Sequence, residues 1–208
     1  MFEVTERGDV FVDARLYDLR VKLCMLGALS RAYGRAAGLV VADGAGRMLD
    51  VGTGTGAMAF ALKQRRPAGE VHGIDPGERM LDVARTNGVR LGHVVHFRPG
   101  WAQDLPFANE QFDAVTFAHV LRHIPVAQHP AVLAEARRVL RPGGRVLIVD
   151  TVPARWAVAL APRPAYPVDL DGCTHLLQAA GFADARGGRL TRVLFGYAIG
   201  RRPGLAPG

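Results

Sequence analysis

From Val12 to Tyr33 the apolar residues Val12, Leu16, Leu19, Leu23, Leu26, Leu29 and Tyr33 fall at steps of three or four. That spacing predicts one stripe of an amphipathic helix, ended by Asp43–Gly44–Ala45–Gly46. The pattern then shortens. Arg47 to Val51 reads as a buried strand, and the turn Gly52 to Gly56 opens a helix through about Arg66. Glu70 to Asp75 reads as a second strand, followed by a helix from Pro76 to about Thr86. His93 to Arg98 and Phe112 to Ala118 read as strands three and four. A helix from Pro130 to Leu140 meets the stop Pro142–Gly143–Gly144, and Arg145 to Asp150 makes strand five.

Strands that alternate with helices imply βαβ units and a parallel sheet, with the ligand crevice at the carboxyl ends of the strands. The last segment breaks this alternation. A Pro-rich stretch from Thr151 to Val168 leads to one helix, about Asp169 to Ala180. The strand-like segments Asp184 to Thr191 and Val193 to Arg201 then follow too closely for a helix between them, so they pair as an antiparallel hairpin. The expected fold is α/β, a Rossmann-like seven-stranded sheet, mostly parallel with the last strand antiparallel. Helices cover both faces, and an N-terminal helical extension precedes the sheet. The 208 residues suit one domain, divided into a helical cap (1–45), a cofactor-binding core (46–151) and an acceptor-side linker, helix and hairpin (152–208).

Composition narrows the setting. Hydrophobic residues make up 49% and charged residues 22%, the profile of a soluble globular chain. No apolar run approaches the roughly 18 residues that span a bilayer, which argues against stable membrane insertion. Glu3, Glu6 and Asp9 lie where a leader would need apolar residues. Cys24 and Cys173 form no zinc or redox motif, so a reduced, cytoplasmic protein is expected. The net charge of +7 could attract nucleic acid, but the arginines are scattered, Lys22 and Lys63 are the only lysines, and no basic patch forms. Nucleic acid is therefore not the expected partner, while a homodimer stays open.

The chemistry gathers first at Leu49–Asp50–Val51–Gly52–Thr53–Gly54–Thr55–Gly56, a strand-to-helix turn. Glycines there let a ligand approach the backbone, and the helix start offers free amides. Asp75 closes strand two, where an acid can accept hydrogen bonds from ribose hydroxyls. These two features imply an adenosine-containing ligand without saying which. Farther on come Asp104–Leu105–Pro106–Phe107, Gln111–Phe112–Asp113–Ala114–Val115 and Val139–Leu140–Arg141–Pro142–Gly143–Gly144–Arg145. With Gly73–Ile74–Asp75 and Met80–Leu81, these segments resemble, in order over about residues 47 to 150, the motifs of class I S-adenosylmethionine-dependent methyltransferases. The closing hairpin corresponds to that family's seventh strand. Leu121–Arg122–His123–Ile124 is similar to the Leu-Arg-Asn-Val of the ubiquinone/menaquinone-biosynthesis group, with His123 in place of the amide and His119–Val120 in place of Phe-Gly.

The resemblance implies S-adenosylmethionine as cofactor. Asp50 and the turn through Gly52, Gly54 and Thr55 would hold its methionine part, Asp75 the ribose, and Trp101 and Ala102 the adenine, with Ala118 at the end of strand four beside them. The family usually has Asp or Asn where Trp101 stands. An indole can stack on adenine but accepts no hydrogen bond from its amine. His119 and His123 follow strand four and are the candidate catalytic residues, since phenols and activated ring carbons must lose a proton before methylation. Tyr17 could close over the cofactor, and Trp156 and Tyr166 could line the acceptor pocket. His72, His93, His96, His129 and His175 lack metal-ligand spacing.

The reading that follows is an enzyme, moving a methyl group to oxygen or carbon of a small aromatic or hydrophobic molecule. A catalytically silent binding or scaffold protein on the same fold is the alternative. Ala118–His119–Val120–Leu121 stands where amine-methylating DNA enzymes carry Asn/Asp-Pro-Pro-aromatic. A nicotinamide oxidoreductase would leave the closing hairpin without a role.

Overall fold

A computed structural model describes residues 2–11, 27–41, 44–151, 170–191 and 195–204. It opens with a hairpin of β1 (Phe2–Thr5) and β2 (Gly8–Phe11), followed by α1 (Ala28–Val40). Then come β3 (Arg47–Val51), α2 (Ala57–Arg65), β4 (Glu70–Asp75), α3 (Glu78–Leu91), β5 (His96–Pro99) and β6 (Phe112–Ala118). The chain continues through α4 (His129–Val139), β7 (Leu140–Thr151), α5 (Leu170–Ala179), β8 (Ala183–Arg189) and β9 (Phe195–Arg201). The 7-stranded sheet has the order β5-β4-β3-β6-β7-β9-β8. Its first five strands pair in parallel, and β9 runs antiparallel to both β7 and β8.

Side chains alternate between the two faces of a strand, and here both faces are buried. From β3, Leu49 and Val51 join one core with Phe117, Ile148, Leu133 of α4 and Leu177 of α5. Met48 joins the other, with Ala36 of α1, Met58 and Leu62 of α2, and Leu147. Helices therefore cover both faces, as the alternating pattern predicts. The strand order reverses direction at β3 and β6, which opens a crevice beyond their carboxyl ends.

Several boundaries differ from the sequence pattern. α3 runs on to Leu91 rather than stopping near Thr86, and ends at Gly92 in the left-handed conformation (φ 66°). β5 starts at His96 rather than His93. β7 begins at Leu140, because Leu140 pairs with Phe112 before the ladder shifts and resumes at Ala114–Arg145. Only the end of the Val12–Tyr33 stripe falls on described residues, within α1. The hairpin β1–β2 has no counterpart among the elements expected from the sequence. Among the described residues no helix is long and apolar enough to cross a membrane.

Candidate active site

β3 delivers the chain into a turn in which Gly52, Gly54 and Gly56 all have positive φ (65°, 54° and 90°). A Cβ on Gly52 would press into the Val120 side chain, whereas nothing lies within 4 Å of one on Gly54. Gly54 therefore presents bare backbone to open space. The turn is tied down from three directions. Thr53 N–H donates to the Ile74 carbonyl (2.8 Å), Gly54 N–H to Asp75 Oδ2 (2.9 Å), and Asn87 Nδ2 to the Thr55 carbonyl (3.2 Å).

Two acids flank this turn. Both oxygens of Asp50 accept hydroxyl hydrogen bonds, from Thr116 and Thr53 at 2.7 Å each. Burial pushes its carboxyl up to about 6, more than the two hydroxyls lower it, and the charge of Asp75 adds to the rise. Asp75 accepts from Gly77 N–H (2.8 Å) as well as from Gly54. Burial again dominates, and its carboxyl also rises to about 6 against those two amides.

Across the crevice, β6 ends at Ala118 and His119 takes a left-handed backbone (φ 60°), uncommon for a residue with a side chain. Its Nδ1 lies 3.3 Å from Asp150 Oδ1, and its Nε2 is buried with no hydrogen-bond partner among the described residues. The rings of Phe195 and Tyr33 flank it at 5.7 and 6.1 Å. Arg122 pairs with Asp150 and bonds Thr151. Burial, then the Arg122 charge, holds the His119 imidazole down to about 3. Burial, then Arg122 and His119, holds His123 down to about 4. Both rings are neutral at pH 7.

The N-terminal hairpin closes one end of the site. Gln103 Nε2 donates to the Arg7 carbonyl (2.7 Å) and Gln128 Nε2 to that of Glu6 (2.6 Å). The Arg7 guanidinium sits 5.9 Å from the centroid of the Trp101 ring.

These parts enclose a cleft of about 120 Å³. Asp50, Gly52, Gly54, Thr55, Asp75, Trp101, Ala102 and Ala118 all line it, and so do His119 and His123. These ten residues, read from the sequence as cofactor-binding or catalytic, thus line a single space. Arg7, Gly8 and Tyr33 line it too, although the sequence motifs do not assign them to it, together with Thr53 of the glycine turn and Met80. For the hairpin a signal exists: Phe2 and Val4 alternate with polar residues ahead of a Gly-containing turn. Tyr17, Trp156 and Tyr166 lie outside the described residues.

The remaining histidines lie apart from the cleft. His129 Nε2 is 3.0 Å from the carbonyls of Leu121 and Ile124 and pins the segment that carries His123. His72 bonds Glu70 at 2.7 Å and stacks near His96. Among the described residues no group of three or more His, Cys, Asp or Glu could hold a metal ion.

A parallel sheet closed by one antiparallel strand, with a glycine turn and an acid at adjacent strand ends, defines the class I methyltransferase fold. The sequence comparisons agree. A family described as "Methyltransferase domain" matches residues 48–144. The demethylmenaquinone methyltransferase of Thermus thermophilus is 40% identical over 137 residues, covering 66% of this chain and 61% of that protein. The ubiquinone/menaquinone biosynthesis C-methyltransferase UbiE of Geotalea daltonii is 30% identical over 167 residues, covering 76% and 70%. The crystal structure of a putative O-methyltransferase from Nostoc punctiforme superposes with a TM-score of 0.74 at 21% identity, over 88% of this chain and 59% of that one. The chain belongs to the class I S-adenosylmethionine-dependent methyltransferases and resembles their ubiquinone/menaquinone-biosynthesis group. It spans about three-fifths of the length of the Thermus relative (61%).

Proposed function

We propose that this chain transfers a methyl group from S-adenosylmethionine to an oxygen or carbon of a small aromatic or hydrophobic molecule. One observation carries the reading. The glycine turn with its two acids, and the two neutral histidines, face each other across the same cleft. The residues present fit the donor. Bare backbone at Gly54 leaves room for its methionine part, Asp50 places a carboxylate beside it, and Asp75 stands where a ribose hydroxyl could donate. Trp101 and Met80 offer apolar faces to an adenine.

When bound, S-adenosylmethionine supplies an electrophilic methyl carbon on a sulfonium. What this chain's residues add is alignment, because in-line displacement gains most of its rate from positioning. The histidines add a proton acceptor beside the acceptor molecule. Names of the curated relatives point to a quinol ring as the acceptor class to test first. The catalytically silent alternative has no observation in its favour.

The test is label transfer. With methyl-labelled S-adenosylmethionine and a panel of phenols, hydroquinones and naphthoquinols, label should appear in at least one extracted product. Binding of S-adenosylhomocysteine with no label in any acceptor would return the silent reading.

A further inference from the structure

We propose that Arg7 is a specificity-determining residue: its guanidinium, held at the rim of the cleft by the N-terminal hairpin, takes a carboxylate carried by the methyl acceptor. This deepens the reading of the cleft as a methyl-transfer site and rests on it. The acceptor class is then a hydroxylated aromatic acid rather than a neutral ring alone. The charges of the cleft single this residue out. Asp50 and Asp75 are the acids that line it, and Arg7 is its only arginine or lysine among the described residues. Each acid already has two partners, hydroxyls for Asp50 and amides for Asp75. His119 and His123 are neutral at pH 7. The Arg7 side chain is exposed and forms no ion pair or hydrogen bond among the described residues. What it meets is the Trp101 ring, 5.9 Å from the centroid. An acid at position 101 would pair with the guanidinium. An indole supports it by cation–π attraction and leaves both its charge and its N–H donors available.

The backbone holds that charge in place. Thr5 Oγ1 donates to the Gly8 carbonyl (2.6 Å) and accepts from the Arg7 N–H (3.3 Å), which closes the turn. Gln103 Nε2 grips the Arg7 carbonyl and also donates to Gln128 Oε1 (2.6 Å), whose own amide holds the Glu6 carbonyl. On the other side Gly8 has φ 133°, and a Cβ there would overlap the His123 carbonyl oxygen. The hairpin turn thus bridges the loop after β5 and the turn after β6. A fixed backbone lowers the ordering cost of binding through a long side chain.

The surroundings say which anion this cation takes. The methyl donor has one carboxylate, on the methionine part that the reading places at the Gly52–Thr55 turn. Arg7 sits instead by Trp101, where the reading places the adenine, which carries no charge. Gly8, next to Arg7, abuts the segment that carries His123, on the side of the cleft left to the acceptor. The anion that remains for Arg7 is therefore one on the acceptor. A guanidinium and a carboxylate match as planar forks joined by two parallel N–H···O bonds. A single guanidinium balances a carboxylate, whereas a doubly charged phosphate would keep one charge uncompensated.

Calorimetric titration of the full chain, with and without saturating S-adenosylhomocysteine, tests this. The probes are 4-hydroxybenzoate, 3,4-dihydroxybenzoate and 1-hydroxy-2-naphthoate, each beside its methyl ester. At least one acid should bind roughly tenfold tighter than its ester at low salt, the lower end for one charged hydrogen bond. Because Arg7 is exposed, the preference should fade toward about 1 M salt, where charges are screened within about 3 Å. Arg7→Gln should abolish the preference and Arg7→Lys keep part of it, with the S-adenosylhomocysteine Kd moved by less than about twofold. Both variants retain the backbone carbonyl that Gln103 holds, and an unchanged melting temperature checks that the hairpin stays in place. No binding by any acid, esters as tight as their acids, or a preference that survives in Arg7→Gln overturns the proposal. So does a roughly tenfold weaker S-adenosylhomocysteine in Arg7→Gln, which would assign the guanidinium to the donor's carboxylate. Failure of the methyl-transfer reading looks different: the acids would still outbind their esters while no S-adenosylhomocysteine bound.

Discussion

The Gly54 amide donates to Oδ2 of Asp75 across 2.9 Å, so the acid at the end of β4 is built into the glycine turn that follows β3. Its other oxygen takes the Gly77 amide at the start of α3. Asp75 thus sets the shape of the site as well as offering a ribose contact. Replacing it with Ala should weaken S-adenosylhomocysteine binding by about 1–3 kcal/mol. The unliganded melting temperature should drop too, by roughly 2–4 °C for each kcal/mol lost from the two amides. Calorimetric titration and a melting curve on one sample check both; an unchanged Kd would place the ribose elsewhere.

The shared rise of Asp50 and Asp75 gives the site a pH signature. Each carboxyl moves from an ordinary value near 3.8 to about 6. Between those values the folded chain holds protons that the unfolded chain has lost, so the two acids weaken the unliganded fold as pH rises, fully so above about 6. A ligand bearing an ammonium group favours their ionised forms. The rise in melting temperature produced by S-adenosylhomocysteine should therefore be largest near pH 7.5 and shrink as pH falls through 6. A shift that stays constant from pH 7.5 to 5 would mean that neither acid senses the ligand.

Trp101 lines the cleft with the Arg7 guanidinium near its ring. If it borders the adenine, Trp101→Ala loses a stacking face, which for a base on an aromatic contributes about 1–3 kcal/mol. Trp101→Asp restores the acceptor that the family pattern carries there, and should bind as well as the parent or better. Equal Kd values for the parent and the Ala variant would show that the indole does not meet the ligand.

Local signals account for the parts of the fold and site that are legible in the sequence. The short, almost wholly buried run of β3 and the glycines after it announce both the sheet and the turn, and a strand of this kind ends where a ligand can bind. What the sequence hides depends on distant partners. Nothing in Glu3, Glu6 and Asp9 announces a partner, yet their segment is a hairpin whose turn is gripped by Gln103 and Gln128, far along the chain. Asn87–Gly88 resembles a helix stop. In the fold Gly88 packs so close to the His93 carbonyl that a Cβ would come within 3.2 Å, while Asn87 reaches the glycine turn, and α3 runs on. His119 is legible as a histidine after a strand; its partner Asp150 is not, because only the β6–β7 register makes them neighbours.

The histidines carry a prediction for turnover. Burial and Arg122 hold His119 near 3 and His123 near 4, both below the ordinary 6.5. A base that is neutral from about pH 5 upward gives no acid limb in kcat near 6.5. In the free enzyme, however, Asp50 and Asp75 titrate near 6, so kcat/KM for S-adenosylmethionine should fall below that pH while kcat stays level. Rates measured from about pH 4.5 to 8 on an accepted phenol or quinol separate the two. A kcat limb centred near 6.5 that vanishes in His119→Asn or His123→Asn would show that the bound histidine is far more basic than its burial dictates.

The central claim is that the cleft beyond β3, β4 and β6 is built for S-adenosylmethionine. Thermal melting of the full chain with S-adenosylmethionine, S-adenosylhomocysteine and NAD, each at the same concentration, tests it most directly. A ligand that binds only the folded chain raises the melting temperature, by about 2.7 kcal/mol of added stability at a hundred times its Kd. A saturable rise with both adenosyl ligands and none with NAD is the predicted result. A rise with NAD alone, or no rise with either adenosyl ligand, would contradict it.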